Sequence, residues 1–352
     1  MAGTVAARNV HFRIAALHHR RIAEIWSASF GRCLPVSRSI SRIKTQKETS
    51  EPLPRHHSEM TMIPRERCAY SAIVDRPPLK LPNLARIVVW TIVNLEFWSI
   101  SRAMARQVLP APTGEVLVPD VPNWSWHEYG MRVGVWRFFN LFARLGIRPT
   151  LSINARVCRE YRRVARAARE AGWEFMGHAW EQMPIHKVDD QAEMITRSLD
   201  TLARFAGTRP VGWLGPGLTE TYETPDLLAA AGIRYIGDWV YDDEPTEIRT
   251  THGPLITLPY SVELNDIPMM LVQHHESAYF TQRCIDSFER LYREGAERAK
   301  IMAIAIHPYI SGQPHRIKYL EAVYEYINRY DDVLHWNGVE ILDWYLATKA
   351  EP

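Results

Sequence analysis

Three side chains with the types needed for hydrolysis each follow a short apolar run. His178 opens the turn Gly177-His-Ala-Trp-Glu-Gln182. Two imidazoles at i and i+4 in such a turn hold zinc. Here the later position is Gln182, whose neutral carbonyl is a far poorer ligand. Glu96 stands two residues after Asn94 and beside Phe97 and Trp98. It reads as a base whose pKa the aromatics raise, as a metal ligand, or as a buried carboxylate satisfied by backbone amides. His307 follows the apolar Ile301–Ile306 and precedes Pro308, which suits a general acid or an electrostatic stabiliser at a strand end. A working imidazole needs its second nitrogen held. Asp238, with Asp242 and Asp243 nearby, supplies the acid expected to orient His307 or His178, and the others serve to solvate a loop.

Hydrolysing an amide needs a polarised carbonyl, an activated water and a proton for the leaving nitrogen. With a divalent, zinc-type metal, Glu96 and His178 would hold the ion, and Gln182 or water would complete a weak shell. Without one, Asn94 and His178 would stabilise the oxyanion and Glu96 would activate water. Arg132 reads either as an anchor for a substrate carboxylate or as a tether to Asp120 or Glu128. Trp180, Trp213 and Trp239 at strand ends form an expected apolar wall for the substrate. His274 and His275 read as an exposed loop pair.

These residues need a scaffold that brings strand ends together. From about residue 85 the chain alternates short β-rich runs with amphipathic helices. Strands are predicted at 87–94, 149–153, 173–176, 211–214, 234–238, 255–259 and 301–306. Helices are predicted at 132–145, 156–171, 188–205, 225–231, 280–298 and 314–329, with an irregular, proline-bearing segment between 94 and 132, and the runs 333–336 and 339–346 close the chain. Such alternation argues for a parallel sheet or barrel. Asn94 with Glu96, His178, Trp213, Asp238 and His307 fall at the C-terminal ends of the predicted strands, which is the catalytic face of a barrel.

Composition narrows the class. The chain has 352 residues, 46% hydrophobic and 23% charged, with a net charge of +2. Residues 1–50 carry nine Lys/Arg against Glu24 and Glu48, so the remainder is mildly acidic and offers no nucleic-acid groove. Cys33, Cys68, Cys158 and Cys284 have no metal or disulfide spacing and read as thiols of a reducing, cytoplasmic compartment. No apolar run is long enough for a membrane span. Residues 1–60 read as a basic tail that carries none of the core, or as a transit-type segment, and 61–352 as one catalytic domain. Trp124, Trp126 and Phe138 suggest a homo-oligomer interface.

Several strings resemble the polysaccharide deacetylase (NodB-homology) family, and most of all its allantoinase-like branch, which includes cyclic-imide hydrolases. They are Val93-Asn-Leu-Glu96, Glu128-Tyr-Gly-Met-Arg-Val-Gly-Val-Trp-Arg137, Gly177-His-Ala-Trp180, Gly212-Trp213, Pro259-Tyr260 with Asn265-Asp266, and His307-Pro-Tyr-Ile-Ser-Gly-Gln-Pro314. The resemblance covers roughly residues 85–345 and implies a distorted (β/α) barrel. It puts Asn94 at the family's general-base aspartate and Glu96 at its metal-binding aspartate, with Tyr260, Asn265 and Asp266 among the substrate-binding residues. Gln182 departs from the family's His-x-x-x-His pair, and Gly215-Pro216-Gly217 lacks its third-motif arginine. The expectation is a carbon–nitrogen hydrolase that opens a small cyclic amide, imide or ureide with no metal or a weakly held one. A polysaccharide or peptidoglycan N-deacetylase and a non-catalytic ligand-binding barrel are the alternatives.

Overall fold

The computed structural model describes residues 62–350, so the basic segment 1–60 and Cys33 lie outside the described residues. Nine strands form one curled sheet: β1 (Ile87–Leu95), β2 (Thr150–Ile153), β3 (Glu174–Gly177), β4 (Gly212–Trp213), β5 (Tyr235–Ile236), β6 (Thr246–Ile248), β7 (Leu255–Thr257), β8 (Lys300–Ile306) and β9 (Val333–His335). Their order is β6-β7-β5-β4-β3-β2-β1-β8, with β9 on β1, and every pairing except β6–β7 is parallel. A parallel bridge from Asn265 to Ala305 draws the segment after β7 onto β8, so the sheet curls into a distorted barrel. The observed architecture is the (β/α) type expected from the sequence.

β1 is buried along all nine residues because both of its faces are covered. Such a strand reads as a continuous apolar run rather than an alternating one. Inside the curl Trp90 meets Tyr235 and Tyr260 edge-on at 6.4 and 6.2 Å, and its indole donates to Thr150 Oγ1 at 2.7 Å. Outside it pack α1 (Val121–Tyr129), α2 (Val135–Leu145), α3 (Arg162–Glu170), α4 (Gln191–Ala206), α5 (Thr224–Ala230), α6 (Ser277–Glu294) and α7 (Ile317–Ile327), while α8 (Gly338–Ala350) adds Ile341, Leu342 and Tyr345 to the inner cluster around Trp90.

Two local expectations change. The segment expected to be irregular contains α1, because Asp120 accepts the Asn123 amide as an N-cap and Pro122 sits in the first turn. The helix expected over 156–171 is broken at Tyr161, whose backbone (φ −119°, ψ 48°) is not helical. Phe138, expected at an interface, is fully buried in the core. The large apolar residues that face solvent in this region are instead Val108, Leu109, Val116, Leu117, Val118 and Val121. Cys68, Cys158 and Cys284 are free, and burial pushes the Cys158 thiol up to about 12.

Ahead of the barrel, Arg67 is buried and ties the entering chain down. Its guanidinium reaches both Asp226 oxygens at 2.5 and 3.2 Å, the Tyr222 carbonyl at 2.5 Å and the Arg249 carbonyl at 2.9 Å. Removing one partner of such a pair strands the other's charge. Arg67→Ala is expected to cost about 2–4 kcal/mol of stability, read as a lower denaturant midpoint. An unchanged midpoint would show the pair to be dispensable.

Candidate active site

Parallel register levels the strand ends. Val93 pairs with Ile306, and Leu95 with Ile153, which pairs with Gly177. The residues that follow, Glu96, His178 and His307, therefore emerge at one rim. They line a cavity of about 360 Å³, together with Asn94, Gln182, Tyr260 and Asn265. That volume suits a small molecule. Its apolar wall comes from Trp98, Met183, Pro184, Leu218, Val262 and Pro268.

Glu96 is almost fully buried and saturated with donors. Oε1 takes a hydrogen bond from Gln182 Nε2 at 2.9 Å, and Oε2 takes one from Trp98 Nε1 at 3.0 Å and one from the Tyr309 hydroxyl at 3.2 Å. His307 Nε2 and His178 Nε2 stand 3.5 and 3.9 Å from Oε1. Burial by itself would raise this carboxyl, but the His307 charge and the donors outweigh it and hold Glu96 well below the usual carboxylate range. This reverses the expected upward shift: the aromatic neighbours come with donors attached. A carboxylate held this way is a weak base.

His307 has the acid that orients it, and that acid is Asp266. Asp266 Oδ1 lies 2.6 Å from His307 Nδ1, while Oδ2 accepts the His307 amide at 2.8 Å and the Ser311 hydroxyl at 2.7 Å. Burial opposes charge on the imidazole, but Asp266 and Glu96 prevail and raise it to about 9. His307 is therefore an imidazolium near neutrality. Asp238 does not hold either imidazole. It accepts the Gly215 amide at 2.7 Å and faces Glu220, and burial next to that second acid pushes it up strongly.

His178 places Nδ1 2.5 Å from the Leu214 carbonyl, which can only accept. Nδ1 therefore carries hydrogen, and in the neutral ring Nε2 keeps its lone pair. That Nε2 is buried without a hydrogen-bond partner. Tyr260 receives Asn265 Nδ2 at 3.2 Å on its hydroxyl oxygen, so its own proton is free for another acceptor. Burial pushes the phenol up and keeps it protonated.

The orientation of Gln182 bears on whether the expected ligands could hold a metal. Phe97 N donates to Asn154 Oδ1 at 2.8 Å, which fixes that amide and aims its nitrogen at the His178 carbonyl and at Gln182 Oε1, 3.4 Å away. Gln182 thus turns its carbonyl away and presents N–H to Glu96. Both Glu96 oxygens and the Gln182 carbonyl already accept hydrogen bonds, which leaves His178 Nε2 as the one atom of the expected ligand set without a partner. These residues do not fit a divalent ion. Among the described residues no group of three or more His, Cys, Asp or Glu is arranged to hold one. His186, the nearest other imidazole in sequence, is exposed and absent from the cavity.

The other expected residues lie elsewhere. Arg132 has a side chain 77% exposed, pairs with Glu128 at 3.6 Å and does not line the cavity. Trp213 is wholly buried in the core cluster beneath β4, packed over Gly177, where an added Cβ would come within 2.7 Å of its ring. Trp180 lies under the Arg197 guanidinium at 3.8 Å, and Trp239 donates to Glu220 at 2.9 Å beside a separate cavity. The indole at the site is Trp98. Sequence reasoning also missed Asn154, Tyr309 and His127. His127 stacks between Trp98 (4.7 Å) and Tyr309 (4.3 Å), and so braces two of the donors to Glu96. Burial holds it down to about 4 and keeps it neutral. Its place directly before the Glu128-Tyr-Gly string was the available signal.

No protein-family model matches the chain. A Helicobacter pylori peptidoglycan deacetylase is 24% identical over 248 residues, covering 61% of this chain and 84% of that protein. The crystal structure of Puue allantoinase superposes with a TM-score of 0.73 at 27% identity, over 83% of this chain and all of that one. A probable polysaccharide deacetylase from Pseudomonas aeruginosa PAO1 gives 0.72 at 27% identity, over 79% and 96%. Among the described residues no helix is long and apolar enough to cross a membrane. A barrel of this topology, with an Asp-held imidazolium and a buried carboxylate at the rim, together with these relatives, makes the chain a hydrolase of carbon–nitrogen bonds that is similar to deacetylases and allantoinase of the NodB-homology type.

Proposed function

We propose that this hydrolase opens a small cyclic amide, imide or ureide using protein groups alone. The observation that carries the reading is the Gln182 amide, locked by Asn154 so that it donates to Glu96 where a ligand pair would need a cation. The substrate carbonyl accepts from the Tyr260 hydroxyl, helped by Asn94. Water attacks the carbonyl carbon as His178 Nε2 takes its proton. The C–N bond then breaks while His307 gives its Nε2 proton to the leaving nitrogen. Glu96 holds both imidazoles by its charge and leaves the water to His178. Strained rings open more readily than acyclic acetamides, which suits machinery without a Lewis acid.

The names of the H. pylori and P. aeruginosa proteins support a second reading, N-deacetylation of an acetylated sugar polymer. Turnover on a panel of cyclic imides, hydantoins and N-acetylglucosamine oligomers, before and after dialysis against a chelator, separates the two. Ring opening that survives chelation is expected, and Gln182→His is expected to raise bound zinc by elemental analysis. Deacetylation of the oligomers that is lost on chelation and restored by zinc would establish the second reading instead.

A further inference from the structure

The segment between β1 and α1 carries two arginines with different surroundings. Arg102 pairs with Glu181, and Arg156 reaches the same carboxylate at 2.7 Å. Arg106, four residues later and half-buried, lines the catalytic cavity beside Trp98 and Ala105. No ion pair or hydrogen bond engages its side chain among the described residues. The one carboxylate lining that cavity, Glu96, is already occupied by Trp98, Gln182 and Tyr309 and flanked by both imidazoles. The cavity therefore offers an unmatched guanidinium facing a largely apolar wall.

We propose that Arg106 binds a carboxylate of the substrate, so that the ring opened here bears an acidic substituent. The proposal rests on the ring-opening reading and narrows its substrate class. A planar guanidinium takes a carboxylate through two parallel N–H···O bonds, which fixes orientation as well as position. The Trp98 indole nitrogen is pinned to Glu96, so its ring is a fixed part of the wall that Arg106 also lines. A substrate seated on that surface presents its ring carbonyl to Tyr260, its ring nitrogen to His307 and its carboxylate to Arg106. Arg132, the arginine expected from the sequence to do this, stands outside the cavity and is paired.

Steady-state kinetics on hydantoin and on hydantoin-5-acetate, with the wild type, Arg106→Gln and Arg106→Lys, test the assignment. The wild type is expected to prefer the acid. Arg106→Gln raises KM for the acid about ten- to a hundredfold, the usual range for a lost charge-assisted pair, and affects the neutral ring by a much smaller factor. Arg106→Lys restores part of the loss. Equal losses on both rings would overturn the assignment, since a guanidinium that only balanced local charge would act on both alike. If neither ring is opened, the ring-opening reading fails on its own. Calorimetric binding of the same two rings then decides Arg106: an affinity for the acid that Arg106→Gln does not lower overturns the proposal.

Discussion

His307→Asn is expected to lower kcat by about 10²–10⁴-fold with little change in KM, the usual loss when a general acid is removed. Asp266→Asn is expected to reproduce much of that loss and to move the alkaline limb of the rate profile to lower pH, because Asp266 is the main source of the raised imidazole. In the wild type that limb falls near pH 9, where His307 gives up its proton. The same shift bears on stability with a definite sign. A histidine raised from about 6.5 to about 9 on folding contributes fully below 6.5, and its contribution disappears as pH rises through 9. The difference in melting temperature between wild type and His307→Asn should therefore shrink across that window. Full activity in His307→Asn, or a rate profile flat through pH 10, would remove His307 from the chemistry.

Gly134→Ala is expected to be among the most damaging single methyl additions. Gly134 ends the π-helical turn Gly130–Gly134 that joins α1 to α2. A Cβ there would sit well inside contact distance of the Pro308 carbonyl oxygen, with Gly312 Cα 3.4 Å away. Both neighbours are backbone, so no rotamer change relieves the overlap. The cost is expected to be about 3–5 kcal/mol, at the upper end for overpacking. Activity should fall further than stability alone explains. The displaced segment carries Tyr309, one of the donors to Glu96, and follows His307 directly. Melting within a degree or two of the wild type, with normal turnover, would contradict the packing argument.

What the sequence reveals here follows from the range of each interaction. The apolar runs of β1 and β8 and the imidazoles at the ends of β3 and β8 are local features, and they are found where periodicity puts them. The acid on His307 is different. Asp238 and Asp266 look equivalent along the chain, and only the return of the segment after β7 onto β8, through the Asn265–Ala305 bridge, selects the second. The downward shift of Glu96 was illegible for a related reason. Phe97 and Trp98 signal an apolar setting in one dimension, while the Trp98 and Tyr309 donors appear only when two strand ends meet. Trp213 looked like a rim residue because β4 is only two residues long, and its side chain packs into the core.

The amide relay from Asn154 through Gln182 to Glu96 also has a meaning for descent. Glutamine and histidine codons differ in a single third base, so the nucleotide change separating this site from one with a second imidazole is the smallest there is. The structural distance is larger. A histidine at 182 would inherit a neighbour, Asn154, already committed to Phe97 and to the His178 carbonyl, and a Glu96 still gripped by Trp98 and Tyr309. Lineages can cross the codon boundary in one step, yet each crossing leaves a half-converted centre until residues on β1, β2 and the loop after β8 change with it. A second imidazole at 182 would therefore complete the site only together with changes at Asn154, Trp98 and Tyr309.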